Sequence, residues 1–505
     1  MKTLGLLNAL IVSILLVFSH VGFAQTTPMK EWTFLVYINA DNNLYPFASL
    51  NMAQMEKVGS SAGVNVVVQL DPEPKNMPTT RYFITQNPKP VQGKITSKVL
   101  ENLPETDMGN PQTLADFLVW GVKNFPAKKY AVIVWNHGNG WQGISYDDNP
   151  RTYLTMPMLR KGLEVMNAAV AQQRGVSRLT TPAIDILNFD ACLMSTLEVA
   201  YEVKSVAKYL VGSQFLEPGE GENYTSFLQP LTAKPQMDPK ELAEIMVYQY
   251  ALNYQNENDD INYSAIDLSR VAQFTAQFDQ TTKVLSASPL KGQIKKAFGS
   301  VSFDLISGLN SARKVAAADT NATAALDQVI QSYGYPAEGI YRGLIKNGEA
   351  AAALNVVERS YPSDVYYRYN TSGNWVRGKL NPNSLGQYQF VFPNGKPRQY
   401  FVVASKNLRV GNREIAAQEA LSTYLRDGKD PIIYHNQFPI TSPLIADAYT
   451  RATRGAHGMT LYSLAGMMAQ NDPSSRPAGA EVLKQYKLLS FATVGAPQWT
   501  SFFGL

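Results

Sequence analysis

The first half of the chain alternates short, continuous apolar runs with amphipathic stretches. Residues 32–39 (WTFLVYIN), 64–70 (VNVVVQL), 81–85 (RYFIT), 130–135 (YAVIVW), 184–189 (IDILNF) and 209–213 (YLVGS) read as strands. Runs this short, with little polar alternation, fit strands buried on both faces. Between them, residues 113–124 align Leu114, Phe117, Leu118 and Gly121 on one stripe, and residues 156–172 keep a helical period. Buried strands separated by helices predict an α/β fold whose mostly parallel sheet is flanked by helices on both faces. Three strands end in marked turns. Asp41-Asn42-Asn43 closes the first, His137-Gly138-Asn139-Gly140 follows 130–135, and 184–189 runs straight into Asp190-Ala191-Cys192. Ligands of such sheets bind at the carboxyl ends of strands, so His137 and Cys192 are expected on one rim. Glu198 and Glu202 sit one turn apart on the helix after Cys192.

Residues 239–355 read as mainly helical, with a strand at 263–268. From about 361 the pattern changes. Segments 364–369, 387–392 and 399–404 alternate or are aromatic-rich, and Pro393-Asn394-Gly395 is a hairpin-turn signal. The expected organisation is a leader over 1–24, an α/β domain over 25–355, and a C-terminal α+β region over 356–505 packed in part on the core.

The leader has an address-like pattern. Lys2 precedes an apolar run over 4–18, and Gly22 and Ala24 are small residues at −3 and −1 of a cut after Ala24. At about 15 residues the run falls short of the roughly 20 that span a bilayer. Export to a periplasmic or secreted location is expected, with no membrane span after leader removal. No cysteine follows the run, which excludes lipid attachment there.

Composition narrows the chemistry. Of 505 residues, 45% are hydrophobic and 17% charged, enough for a large core. A net charge of +4 with no basic run leaves nucleic-acid binding without an electrostatic footprint. The single cysteine, Cys192, rules out an intramolecular disulfide and any thiolate-rich metal site. A lone thiol in an exported chain is either buried and inert or a nucleophile. A nucleophilic thiolate needs a neighbouring imidazole and donors for the oxyanion. Beyond the leader there are three histidines, His137, His435 and His457, and only His137 follows a buried strand inside a Gly-rich turn. Such a turn lets the Gly138 N–H point at a carbonyl oxygen. His435 and His457 read as structural.

The segments INADNNL (38–44), DMGNPQTLADFLVWGVKNFPAKKYAVIVWNHGNGW (107–141) and ILNFDACLMSTLEVAYE (186–202) resemble the clostripain family of cysteine endopeptidases. So does the ending YKLLSFATVGAPQWTSFF (486–503). The resemblance is dense over 31–230 and returns faintly after 456. It implies a caspase-like fold shared with gingipain and legumain. It also implies His137 as general base and acid, Cys192 as nucleophile, and the backbone N–H groups of Gly138 and Cys192 as the oxyanion hole. Cleavage after Arg, or Lys, would follow, so the expected partners are protein or peptide substrates with a basic P1. A cationic P1 needs a desolvated carboxylate. The resemblance places one at Asp190, which two-residue strand spacing also sets on the Cys192 side. Glu217, Glu220 and Glu222 follow the next strand on the same rim, and one of them is expected to deepen the pocket. Relatives often carry an aromatic where Glu222 stands.

Relatives are also commonly made as precursors cut in a loop after the His motif. Here that loop is 145–152, and Arg151 is its one basic residue. Lys161 and Arg174 are rival sites, and no processing is the alternative. Some relatives are calcium-stimulated. The adjacent Asp147 and Asp148 fall short of the six to eight oxygens calcium prefers, so they read as solvated loop charge. No metal is expected in the chemistry and no cofactor, calcium stimulation being the alternative. Two rival functions remain: an inactive exported binding protein on the same fold, and a cysteine peptidase with a different P1 preference.

Overall fold

The computed structural model describes residues 29–74, 77–254, 261–300, 304–333, 440–450, 458–461 and 483–504, together with the backbone of short strands between 365 and 435. Ten strands and ten helices precede residue 334 among these. The strands are β1 (Lys30–Ala40), β2 (Val64–Pro72), β3 (Thr79–Phe83), β4 (Lys98–Leu103), β5 (Ala127–Trp135), β6 (Ile144–Asp147), β7 (Thr152–Leu154), β8 (Ile184–Asp190), β9 (Ala207–Gly212) and β10 (Asn262–Asp267). The helices are α1 (Tyr45–Val58), α2 (Pro111–Asn124), α3 (Met156–Gln173), α4 (Leu197–Val203), α5 (Tyr224–Ala233), α6 (Pro239–Asn253), α7 (Leu268–Ala287), α8 (Lys291–Ser300), α9 (Leu305–Val315) and α10 (Thr320–Tyr333).

An eleven-stranded sheet organises the chain. Its centre is five consecutive parallel strands in the order β9-β8-β5-β1-β2. Antiparallel strands extend both flanks. β3 and β4 follow β2, while β10 and the strands Leu444–Thr450, Ile432–His435 and Tyr388–Val391 follow β9. The central strands carry apolar side chains on both faces, because each face meets helices. Leu35, Tyr37, Val132, Val134, Leu187 and Phe189 face a core shared with α2, α3, α4 and α7. Phe34, Val36, Ile38, Ala131, Ile133 and Ile186 face the opposite core, with α1, α5 and α6.

The strands expected from pattern in the first half are all present, and α2 and α3 lie where the helical period places them. The sequence expectation lacked α1, α5, β4 and the β6–β7 hairpin. The helical reading of 239–333 holds in α6 to α10, interrupted by β10. The division at 355–356, the segment 399–404, the turn at 393–395 and His457 lie outside the described residues. So do the side chain of His435 and the leader.

Described parts of the C-terminal region are built into the same body. Leu444–Thr450 pairs with β10. The segment around 486–503 packs on α4 and α7. Glu202 on α4 accepts the Ser490 hydroxyl (2.6 Å) and the Phe491 N–H (3.0 Å), and pairs with Arg160 at 3.0 Å. Trp499, on the helix Pro497–Phe503, is edged by Phe278 and Phe298, each 5.0 Å between ring centroids.

Candidate active site

β5 and β8 are adjacent and parallel, with Trp135 opposite Asp190. His137 and Cys192 each lie two residues beyond these paired positions, so both leave the sheet at the same edge. Two observations hold the loops together. A Cβ on Gly138 would sit 2.2 Å from the Cys192 carbonyl oxygen, so only glycine lets the His137 turn come this close. The turn's bridge to Ile144 is carried by Asn139 N–H donating to Gly143 O (2.9 Å), a pattern that leaves the Gly138 N–H unused.

The Cys192 loop is tightly tied. Leu193 takes a left-handed φ of 65°, rare for a branched residue. Its N–H donates to Phe215 O (2.8 Å), and Ser195 N–H donates to Ser213 O (2.7 Å). The segment 458–460 clasps the loop from the far side. Thr460 N–H donates to Ser195 O (3.0 Å), and Leu197 N–H donates to Thr460 O (2.8 Å). Thr196 caps α4 by accepting Val199 N–H, so Asp190 is not the cap of that helix.

The Cys192 sulfur is half-buried and accepts the Glu217 N–H at 3.2 Å. Burial pushes its pKa up, with the Asp190 charge adding to that, against the Glu217 N–H and its own amide. His137 is half-buried, and its desolvation lowers the imidazole below 6.5, leaving it neutral at pH 7. Nε2 lies 2.7 Å from Asn43 Oδ1. With that oxygen as acceptor, Nε2 carries the proton and Nδ1 is bare. His137 and Cys192 make no hydrogen bond to one another among the described residues. Apo catalytic contacts are often looser than those of a substrate complex.

Beside the thiol lies a group of three carboxyls. Asp190 is buried, accepting the Glu222 N–H (3.0 Å) and the Tyr224 hydroxyl (2.9 Å). Glu222 is buried and accepts Asn188 Nδ2 at 2.5 Å. Both Glu217 carboxyl oxygens are buried with no hydrogen-bond partner; the Ala191 amide and the Asp190 carboxyl lie near them, outside hydrogen-bonding geometry. Desolvation raises all three: Asp190 to about 6, and Glu217 and Glu222 well above the usual range, with Asp190 adding to both. None of the three enters an ion pair among the described residues. The arrangement is a desolvated acidic pocket at a thiol.

Residues 36–382 match the sequence pattern of the clostripain family, Peptidase_C11. The chain belongs to the clostripain family. Clostripain from Hathewaya histolytica is 27% identical over 321 residues, which covers 54% of this chain and 59% of that relative. A secreted C11 cysteine protease from Bacteroides thetaiotaomicron, solved with an irreversible peptide inhibitor, is 22% identical over 51% of this chain and 70% of its own, at a TM-score of 0.41. An inactive zymogen C11 protease from Parabacteroides distasonis is 16% identical over 69% and 89%, at a TM-score of 0.45.

In this clostripain-family chain His137 and Cys192 leave the same sheet edge, Gly138 lies against Cys192, and Asp190 and Glu217 lie beside the thiol; two expectations need correction. Glu220 is exposed and does not join the pocket carboxyls. Gly219 packs on Phe47, and Gly221 turns at φ 60° against Asp190, which sends residues 217 and 222 inward and 220 out. Asp147 is buried rather than solvated, because its carboxylate accepts Met108 N–H (2.7 Å) and Asn149 N–H (3.0 Å). Arg151 is exposed in the β6–β7 turn. Its rival Lys161 is exposed on α3, and Arg174 caps the end of that helix. Asn43 was missed as a partner of His137; the only sequence signal was its place in the turn closing β1. Among the described residues, no helix is long and apolar enough to cross a membrane.

Proposed function

We propose that this chain is an exported cysteine endopeptidase that cleaves after Arg, or Lys. Three buried carboxyls with no cation among them, next to the only thiol, carry the reading. A guanidinium or ammonium of P1 supplies the charge that this pocket lacks, and in a desolvated site such pairing is worth several kcal/mol. Family membership supports the peptidase reading, and the leader pattern supports export.

In the proposed reaction, His137 Nδ1 takes the Cys192 proton and the sulfur attacks the scissile carbonyl carbon. The Gly138 and Cys192 N–H groups hold the resulting oxyanion. His137 then protonates the departing amine, and water hydrolyses the thioester to regenerate the thiol. Asn43 keeps Nε2 protonated throughout. Self-cleavage after Arg151 is part of the proposal, since that residue is the exposed basic position in the hairpin after the His137 turn.

The test compares peptides with Arg, Lys or a neutral residue at P1, cut by wild type, Cys192→Ala and Asp190→Asn. Cys192→Ala should be inactive, and Asp190→Asn should lose its basic preference. Equal cleavage by wild type and Cys192→Ala would remove the nucleophile. Cleavage of neutral-P1 peptides alone would leave a dyad with another specificity. Intact masses of wild type and Cys192→Ala report leader removal and any thiol-dependent cut after Arg151.

A further inference from the structure

A second group of carboxylates lies on the same sheet edge, at the ends of β1 and β2. Asp41 follows β1, Asp71 is in the last residues of β2, Asp147 ends β6 and Glu105 follows β4. One carboxylate oxygen from each lies within 4.8 Å of all the others. Asp41, Asp71 and Asp147 are 2%, 0% and 1% exposed, while Glu105 faces solvent. Asp71 Oδ1 accepts the Thr79 hydroxyl (2.6 Å), and Oδ2 is buried with no hydrogen-bond partner. Asn39 stands opposite Asp71 in the parallel register, on the same face, and its Oδ1 is also buried without a partner. The charges facing Asp71 are Glu105, Asp147 and Asp41, and those facing Asp147 are Asp41 and Asp107; all are acidic. Burying this much like charge raises Asp71 to about 8 and Asp147 to about 7.

We propose that Asp41, Asp71, Asp147 and Glu105 hold one calcium ion at this edge. A donor set of oxygens alone suits a hard cation and excludes a zinc-type site. Calcium takes six to eight oxygens and accepts several carboxylates at once, whereas magnesium is usually held through one or two. All four oxygens lie within 4.8 Å of one another, close enough to share one calcium ion. Asn39 Oδ1 is placed to add a neutral oxygen, and water completes the shell on the Glu105 side. Asp148, adjacent to Asp147 in the chain, is not among the four.

The ion would join two loops that border His137. Asp41 begins the turn that carries Asn43 to His137 Nε2. Asp147 lies ten residues after His137. The Asp148 N–H already donates to Asp41 O at 2.9 Å. Calcium at this site therefore sets the position of the imidazole without touching the reacting atoms.

The test reads binding and melting rather than peptidase activity, so its outcome is separate from that of the proposed reaction. The full chain with Cys192→Ala is stripped with chelator and titrated calorimetrically with calcium, then with magnesium. One saturable calcium site per chain is expected, with a Kd of about 1 mM or tighter, and with melting raised by several degrees at saturation. Asp71→Asn and Asp147→Asn should each weaken calcium binding at least about tenfold while melting no lower than the parent in chelator, since each removes a buried like charge. Glu105→Gln, at an exposed position, should weaken binding without disturbing the core, and Asp148→Asn should leave affinity unchanged. No saturable site up to about 10 mM calcium, equal affinity for magnesium, or unchanged affinity in all three ligand variants overturns the assignment.

Discussion

At the residue scale, contact distances separate positions that tolerate change from those that do not. Gly138 has no room for a methyl, since its Cβ would press on backbone rather than on a flexible side chain. Gly138→Ala must push the His137 turn off the Cys192 loop and displace a proposed oxyanion donor. We expect kcat/KM to fall about 10²–10³-fold, read by peptide kinetics on a variant confirmed folded by circular dichroism. Asn43 meets His137 through its side-chain oxygen. Asn43→Ala should lower kcat about tenfold with KM nearly unchanged, because a positioning contact is lost and the pocket is not. A variant with wild-type kcat would remove Asn43 from the reaction. Asp190 illustrates two opposed demands. Its carboxyl is raised to about 6 because burial penalises the charge that a cationic P1 requires. Asp190→Asn should cost about 10²–10³-fold in kcat/KM on Arg peptides, with the loss much smaller on neutral-P1 peptides.

At the scale of elements, the decisive feature is the way distant segments brace the short loop between β8 and α4. Phe215 and Ser213, just past the end of β9, supply carbonyls to Leu193 and Ser195, and the segment 458–460 closes the other side. Behind α4, Glu202 anchors the start of the C-terminal segment, and Trp499 fills the space between α7 and α8. Trp499→Ala should destabilise the fold by about 3–5 kcal/mol, the usual cost of emptying a large aromatic site. Urea unfolding followed by fluorescence of the remaining tryptophans measures it. A loss below about 1 kcal/mol would mean that the C-terminal helix is only loosely docked.

At the scale of the whole molecule, the acidic pocket couples stability to pH. Asp190 keeps its proton to about pH 6 when folded and to about pH 4 when unfolded. Between these values the native state holds the extra proton, so stability from this group is full below about pH 4 and is lost as pH rises through 6. Melting temperatures of wild type should therefore fall relative to Asp190→Asn as pH goes from 4 to 7. Binding has the opposite sign. Below pH 6 the pocket loses charge, and KM for Arg peptides should rise by up to about tenfold per pH unit. Parallel pH profiles of melting and KM check both; a KM that is flat between pH 5 and 7 would mean Asp190 does not meet P1.

The sequence by itself determined the parallel core and the two strand ends that carry His137 and Cys192. Those features follow from local patterns, runs of apolar residues that must be buried and turns that end them, and each can be read within ten or so residues. The HGNGW and DACLM segments were legible for the same reason. Tertiary structure alone decided which carboxyls meet. Glu217, Glu220 and Glu222 share one loop and look alike in sequence, yet the turn at Gly221 buries two and exposes the third. Asp41, Asp71, Glu105 and Asp147 are separated by more than twenty residues each and converge only because β1 and β2 end side by side under the β6–β7 hairpin. Asn43 finds His137 across the same edge. Burial is a property of the chain near in sequence, whereas the charge on a buried acid depends on neighbours that only the folded sheet brings within reach.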